Sequence, residues 1–356
     1  MDYISAKEAA EKWGISQRRV AVLCSENRIP QADMVGNMWL IPADAKKPPD
    51  LRSSRYRKGE VNLAKPFLKW AGGKGQLLGE LQAYYPFVTA GITKYAEPFV
   101  GGGAVLFDVL NRYEVEQVYI SDSNAELIHT YCTVRDDIDE LVERLSSYQA
   151  QYLPLDYPRR KAYYAAKRDT FNRLTLGGSK REGLEKAALM IFLNRTCFNG
   201  LYRVNKKGFF NVPIGAYQNP LICDEENLRA VSAKLQRVMI VCADYRESAR
   251  FIDEHTFVYL DPPYRPLSST ANFTAYTQQL FDDDRQRELA EFVQQMDQKG
   301  AKIVVSNSDP QNTDSADDFF DSIYASYTIT RVQAARMINS NSKARGKINE
   351  LIISNF

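Results

Sequence analysis

This sequence predicts an α/β protein: a doubly wound, mainly parallel sheet, an inserted and mainly helical lobe, and a small separate domain at the N-terminus. Three observations lead there. From Pro66 onward, short apolar runs alternate with helical stretches, the pattern of a parallel sheet with crossover helices. Each apolar run closes on polar residues or glycines, where the ligand crevice of such a sheet lies. A long basic stretch breaks the alternation between the second and third runs, as an insertion does.

The composition is that of a globular chain, 356 residues long, 44% hydrophobic and 25% charged. No apolar run reaches membrane-spanning length, and Met1-Asp2-Tyr3-Ile4 lacks the basic-then-apolar form of a signal peptide, so a cytoplasmic protein is expected. Cys24, Cys132, Cys197, Cys223 and Cys242 show no C-x-x-C pair and read as free thiols. With only His129 and His255 besides, no metal site is expected. Between Arg159 and Phe210 thirteen basic residues face only Asp169, Glu182 and Glu185, on a chain whose net charge is +2. That concentration is an electrostatic footprint for a polyanion.

Taken in order, Ser5 caps a first helix from Ala6 to Trp13, with Glu8 at the capping-box position. Gly14-Ile15-Ser16 turns the chain, and Ser16 caps a second helix from Gln17 to Glu26 that carries Arg18 and Arg19 near its start. Val35 to Pro42 reads as a tight hairpin around Gly36-Asn37. Helix, turn, basic helix and hairpin resemble the winged helix-turn-helix units of excisionase-like and MerR-like proteins. In that geometry Arg18 and Arg19 meet a major groove; a small protein-docking domain is the alternative. The expected divisions are this domain at 1–45, a basic linker at 46–62, a sheet domain at 63–145 and 235–356, and the lobe at 146–234.

The sheet candidates are Lys94–Glu97, Val118–Asp122, Val238–Asp244, Phe257–Asp261 and Lys302–Asn307. Ser322–Thr330 and Ile348–Phe356 are candidates for an antiparallel edge. After the first strand comes Glu97-Pro98-Phe99-Val100-Gly101-Gly102-Gly103, whose glycines allow a tight turn and a close ligand. It is not G-x-G-x-x-G and no Walker lysine follows, which argues against a phosphate loop. Asp122, at the next strand end, suits a pair of ribose hydroxyls. Asp244, with Tyr245 beside it, suits an adenine amino group. Each acid taken alone is more often a turn or capping residue.

Asp261-Pro262-Pro263-Tyr264 is the most telling string. An exocyclic amine of a nucleobase is a poor nucleophile because its lone pair is delocalised into the ring. A carboxylate at Asp261 and the Pro262 carbonyl can draw its two protons into hydrogen bonds and make the nitrogen more tetrahedral. The two prolines stiffen the turn, and Tyr264 offers a face for a base turned out of its stack. By itself the tetrapeptide also describes a strand end and an ordinary Pro-Pro turn.

Phe67-Leu68-Lys69-Trp70-Ala71-Gly72-Gly73-Lys74, the Glu97–Gly103 string and Asp261–Tyr264 occur in that order. From Pro66 to Phe356 the chain resembles the Dam-type, alpha-group (D12 class) DNA adenine N6-methyltransferases. The resemblance implies a Rossmann-like methyltransferase sheet and S-adenosyl-L-methionine as cofactor. It implies that Trp70, Ala71, Lys74, Phe99, Gly101, Gly103, Asp122, Asp244, Tyr245 and Asp261 line the cofactor site. It implies double-stranded DNA as the partner and GATC as the target. A cognate restriction endonuclease and a monomeric state are further expectations.

Asn194–Arg203 and Val204–Pro213 sit in the basic stretch, with Lys206-Lys207-Gly208 as a hairpin turn. Basic, amide and aromatic side chains on one loop suit base-edge contacts and stacking, so Arg195 and Asn205 join the DNA-binding candidates. By resemblance to the family's target-recognition hairpin, Arg203 and Lys69 contact guanines, and Leu201 and Pro213 lie against thymine methyls. Phe198 and Asn199 then support the displaced partner strand; Phe198 stands where Dam enzymes carry tyrosine, which keeps stacking and loses a hydroxyl.

N4-cytosine methylation is chemically close, although those enzymes more often carry serine before Pro-Pro-Tyr. No Pro-Cys dipeptide supports C5 chemistry. A DNA-binding regulator with a decayed methyltransferase body and an RNA methyltransferase are the remaining alternatives.

Overall fold

The five apolar runs become the parallel part of a seven-stranded sheet, the four inner ones buried along most of their length and the fifth, Val238–Cys242, partly exposed at the sheet edge. They are β4 (Lys94–Glu97), β5 (Gln117–Asp122), β6 (Val238–Cys242), β7 (Thr256–Leu260) and β8 (Lys302–Ser308). Two more strands, β9 (Thr328–Ala335) and β10 (Lys347–Ser354), complete it in the order β6-β5-β4-β7-β8-β10-β9, with β10 antiparallel to both neighbours. The computed structural model describes residues 3–25, 29, 32–35, 38–43, 45, 47, 63–70, 72–88, 91–265, 281–335 and 347–356. Ala71, the Gly36-Asn37 turn, the side chain of Arg19 and the expected linker apart from Lys47 lie outside the described residues.

Alternate residues along the strands feed two cores. Tyr95, Phe257, Tyr259 and Val304 face one, with helices α3 (Leu78–Leu81), α4 (Ala104–Arg112), α5 (Ala125–Asp136) and α9 (Glu225–Leu235). Ala96, Val258, Leu260 and Val305 face the other, with α10 (Asp283–Gln298) and α11 (Phe319–Ile323). Burying a side chain such as Phe257 completely is worth about 2–3 kcal/mol. The chain steps from β4 through β5 to β6 in one direction and then returns to place β7 on the other side of β4. That reversal is a topological switch point, and it opens a crevice at the carboxyl ends of β4 and β7.

Of the late apolar runs, Ile348 onward is β10, but Ser322 and Ile323 end α11 and the outermost strand begins only at Thr328. Helix α11 wins at Ser322 because Phe319 and Phe320 anchor it in the second core.

Between β5 and β6 lie α5, α6 (Ile138–Tyr152), α7 (Tyr157–Arg173), α8 (Lys180–Thr196) and α9. Helix α8 starts in a capping box, Ser179 with Glu182, and is buried from Lys186 to Asn194, so the other helices pack around it. Helix α6 is continuous across residue 146.

Residues up to Val61 form a unit of their own. The capping box of Ser5 and Glu8 starts α1 (Ala6–Trp13), Gly14 ends it in the left-handed region at φ 63°, and α2 (Gln17–Ser25) follows. Val20, Leu23, Cys24 and Ile41 pack against Ala9 and Trp13. A strand not read from the sequence, β1 (Tyr3–Ser5), pairs with β3 (Met38–Pro42), which also pairs with β2 (Asp33–Val35).

Candidate active site

Strand β7 delivers Asp261 to the crevice at the sheet's carboxyl edge. One carboxylate oxygen, Oδ1, is held by Lys74 Nζ at 2.7 Å and by the Ser306 hydroxyl at 3.2 Å. Ser306 is itself held by the Tyr259 hydroxyl at 2.8 Å. Among the described residues nothing hydrogen-bonds to Oδ2 or to the Pro262 carbonyl, whereas the Pro263 carbonyl accepts from Gln286 Nε2 at 3.1 Å.

Lys74 enters from the turn after Gly72-Gly73 and is only 4% exposed. Its ammonium also donates to the Tyr264 hydroxyl at 2.9 Å and the Gly72 carbonyl at 3.3 Å, and lies 3.6 Å from Glu350 Oε2. Tyr264 in turn donates to Glu350, at 2.8 and 3.0 Å from its two oxygens. Burial works against the Lys74 charge, but Asp261, Tyr264 and Glu350 outweigh it and hold the ammonium well above the ordinary lysine value. Burial raises Asp261 and Glu350 above the usual carboxylate range, and Lys74 offsets part of this. Glu97, at the end of β4, is pushed by burial to about 8 despite the Tyr95 hydroxyl 2.7 Å away.

The glycine corner lies next to this group. Gly101 and Gly103 adopt φ 47° and 71°, and a Cβ at Gly101 meets the Trp70 ring at 2.9 Å. Gly101 N–H donates to Asp122 Oδ2 at 3.2 Å and Asn124 N–H to Oδ1 at 2.9 Å; burial raises that carboxylate above its usual range. Phe99 stacks on Tyr245 at 5.2 Å, and the buried Tyr245 hydroxyl has no hydrogen-bond partner among the described residues. Asp244 is different: half exposed, it caps the turn at Arg246 N–H and pairs with the Arg246 guanidinium at 2.7 Å.

Residues 70–338 match the family of D12 class N6 adenine-specific DNA methyltransferases. The chain is 47% identical to the Type II methyltransferase M.MjaIII of Methanocaldococcus jannaschii, over 82% of this chain and 99% of that one. It is 35% identical to the Type II methyltransferase M1.LlaDCHI of Lactococcus lactis subsp. cremoris, over 84% and 98% respectively. It is also 35% identical to the DNA adenine methylase of Haemophilus influenzae, over 81% and 92%. The chain belongs to the D12 class of N6 adenine-specific DNA methyltransferases. The family match begins at Trp70 and so does not reach the N-terminal unit.

The methyltransferase presents its hairpin from the loop between α8 and α9. Bridges Cys197–Ile214 and Val204–Phe210 set its register, and Gly208 turns at φ 78°. Phe198, Asn199, Arg203 and Pro213 are exposed, and Leu201 is half-buried. Arg203 donates to Asn211 Oδ1 at 2.8 Å. Lys69 is exposed beside them: its stem packs where a Cβ at Gly200 would stand, and its ammonium lies over the Tyr217 ring. Asn205 spends its side-chain oxygen on Lys207 and Phe209 N–H, as the hairpin's own turn.

Arg195 does not join this face. It is largely buried, and its guanidinium donates to the Phe67 carbonyl at 2.9 Å, because the last turn of α8 points it at the segment before Lys69. Arg18 is exposed at the start of α2 in the N-terminal unit.

The sequence reading missed three residues that build these sites. Glu350 and Ser306 complete the Asp261 group. Asn194, 2% exposed, binds both the N–H and C=O of Lys69 and the Gly200 carbonyl, all within 2.9 Å, and so ties Lys69 to the hairpin. Glu350 carried a signal: a carboxylate inside the apolar run Ile348 to Ile353 needs a partner.

Proposed function

We propose that this methyltransferase moves a methyl group from S-adenosyl-L-methionine to N6 of an adenine turned out of duplex DNA, within GATC. The observation that carries the reading is the Asp261 corner. One carboxylate oxygen is fixed by Lys74 and Ser306, while among the described residues Oδ2 and the Pro262 carbonyl are left to accept from an incoming amine. Tyr264 stands beside them with its hydroxyl tied down and 37% of its surface exposed, which suits a base stacked on its ring.

The residues present fit the cofactor. Gly101 and Gly103 bring backbone close to the crevice, Asp122 offers a buried acceptor, and the Tyr245 hydroxyl lacks a partner among the described residues. Trp70, Lys74, Phe99, Asp122, Tyr245 and Asp261 hold it in this reading; Asp244 joins them if Arg246 releases its carboxylate. When bound, the cofactor supplies a methyl group already activated on a sulfonium. The chain therefore has to align the amine, hold its protons at Asp261 and Pro262, and exclude water; no metal is required.

Exposed Lys69, tied through Asn194 to Gly200 at the start of the hairpin that carries exposed Arg203, supports readout of guanines. The N-terminal unit, with Arg18 on its second helix, is assigned a second DNA contact. Among the described residues no helix is long and apolar enough to cross a membrane, and a DNA-associated place in the cytoplasm follows from the proposed substrate.

Asp261→Ala tests the chemistry. Turnover should fall by at least about a hundredfold, the scale for removing an oriented polar group that acts in the transition state. Cofactor affinity, measured by calorimetry, should stay within about one order of magnitude, since a single lost contact is worth little more. Wild-type turnover in this variant would falsify the assignment.

A further inference from the structure

Glu350 belongs to no motif read from the sequence. It is 6% exposed, sits in the middle of β10, and reaches the corner only because β10 inserts between β8 and β9. An anionic side chain in such a strand is costly unless it has a task or a partner. Both its oxygens take the proton of the Tyr264 hydroxyl, and Oε2 lies 3.6 Å from Lys74 Nζ. The three ammonium donors of Lys74 go to Asp261, Tyr264 and Gly72, so Glu350 acts on Lys74 as a counter-ion and not as a hydrogen-bond acceptor.

We propose that Glu350 is a positioning residue for the methyl transfer, holding the Tyr264 ring by its hydroxyl and sharing the Lys74 charge with Asp261. The inference rests on Asp261 as the acceptor of the target amine. An ammonium bound to Asp261 alone withdraws electron density from the carboxylate that must accept from that amine. A second carboxylate on the same ammonium divides this pull and leaves Asp261 the stronger acceptor. The same contact fixes the plane on which the base is to stack. Among the described residues, the charged or titratable groups facing Asp261 are Lys74 from the Gly72-Gly73 turn, Tyr264 on its own segment, Tyr259 on β7, Glu97 on β4 and Glu350 on β10. Of these, Lys74 and Glu350 carry the opposing charges, because burial holds Glu97 protonated up to about pH 8.

Glu350→Gln keeps the shape and removes the charge. In the full-length enzyme with saturating S-adenosyl-L-methionine, kcat on duplex DNA should fall roughly tenfold, the effect of losing one charged hydrogen-bonding partner. The acid limb of the kcat profile should move to lower pH, because removing a negative neighbour lowers the pKa at which Asp261 ionises. Glu350→Asp keeps the charge and should leave that limb near its wild-type position. In a Tyr264→Phe background Glu350→Gln should cost less than in the wild type, since the shared hydroxyl is already gone. Unchanged kcat and an unmoved acid limb in Glu350→Gln, with Asp261→Ala inactive, would overturn the role of Glu350 alone. An active Asp261→Ala would instead remove the acceptor reading beneath it. Should Glu350→Gln not fold, as judged by circular dichroism, Tyr264→Phe carries the test. It cuts the same link and keeps the ring, so KM for duplex DNA must rise, and an unchanged KM overturns the proposal.

Discussion

The Asp261 corner and the hairpin between α8 and α9 are built on opposite terms. In the corner Lys74 and Ser306 both hold Asp261, Tyr259 holds Ser306, Tyr264 and Glu350 hold Lys74, and Lys74 is almost wholly removed from water. In the hairpin Phe198, Arg203 and Phe209 are exposed, and the polar bonds are local: Arg203 to Asn211, Asn205 to Lys207 and Phe209. A group that must act on one nitrogen has its geometry fixed before substrate arrives. A group that must meet a duplex keeps side chains able to exchange a local partner for a base edge. Asn194 fixes the backbone of Lys69 against the hairpin, while the Lys69 ammonium keeps only an exposed local partner, Tyr217.

This contrast can be broken with two arginines from one stretch. Arg203→Ala should lose about 1–3 kcal/mol of discrimination at one guanine, with little change in thermal stability. Arg195→Ala should do the reverse, costing about 1–3 kcal/mol of stability by removing the buried partner of the Phe67 carbonyl while leaving sequence choice intact. The measurement compares turnover on GATC and on single-base variants, alongside thermal unfolding of each protein. A change of sequence choice in Arg195→Ala, or equal loss on every site in Arg203→Ala, would erase the distinction.

A smaller effect is expected from the N-terminal unit. A protein starting near Val61 should keep its turnover rate at saturating DNA. Its DNA affinity should fall, with a shallower salt dependence because fewer counterions are released. Charge reversal at Arg52, Arg55, Arg57 and Lys58 separates the unit's contribution from that of the basic residues just before the cut. Unchanged affinity and salt slope after truncation would favour a protein-docking role.

Much of the sheet was legible because buried parallel strands must be apolar along their whole length, as Phe257 to Leu260 is. Asp261, Gly101 and Gly103 were legible because each sits in a local string at a strand end. Glu350 was not, because its partner Lys74 lies near the other end of the unit and the two meet only through the sheet order. Asp244 read as a ligand acid, yet Arg246, two residues on, takes its carboxylate. The charge count over Arg159–Phe210 also overstated the free positive surface. Lys186 is buried against Glu126 and the Phe171 and Leu174 carbonyls, and Arg160 binds the carbonyls of Leu153, Tyr217 and Gln218. Composition counts charges, and only tertiary structure says which of them are already used.

The most direct test of the account is to incubate the purified protein with S-adenosyl-L-methionine and unmodified duplex DNA, with and without a chelator, and to map modified bases by sequencing. N6-methyladenine within GATC on both strands is expected, at the same level with the chelator present. Methyl groups on cytosine N4, or on adenines outside any common site, would contradict it.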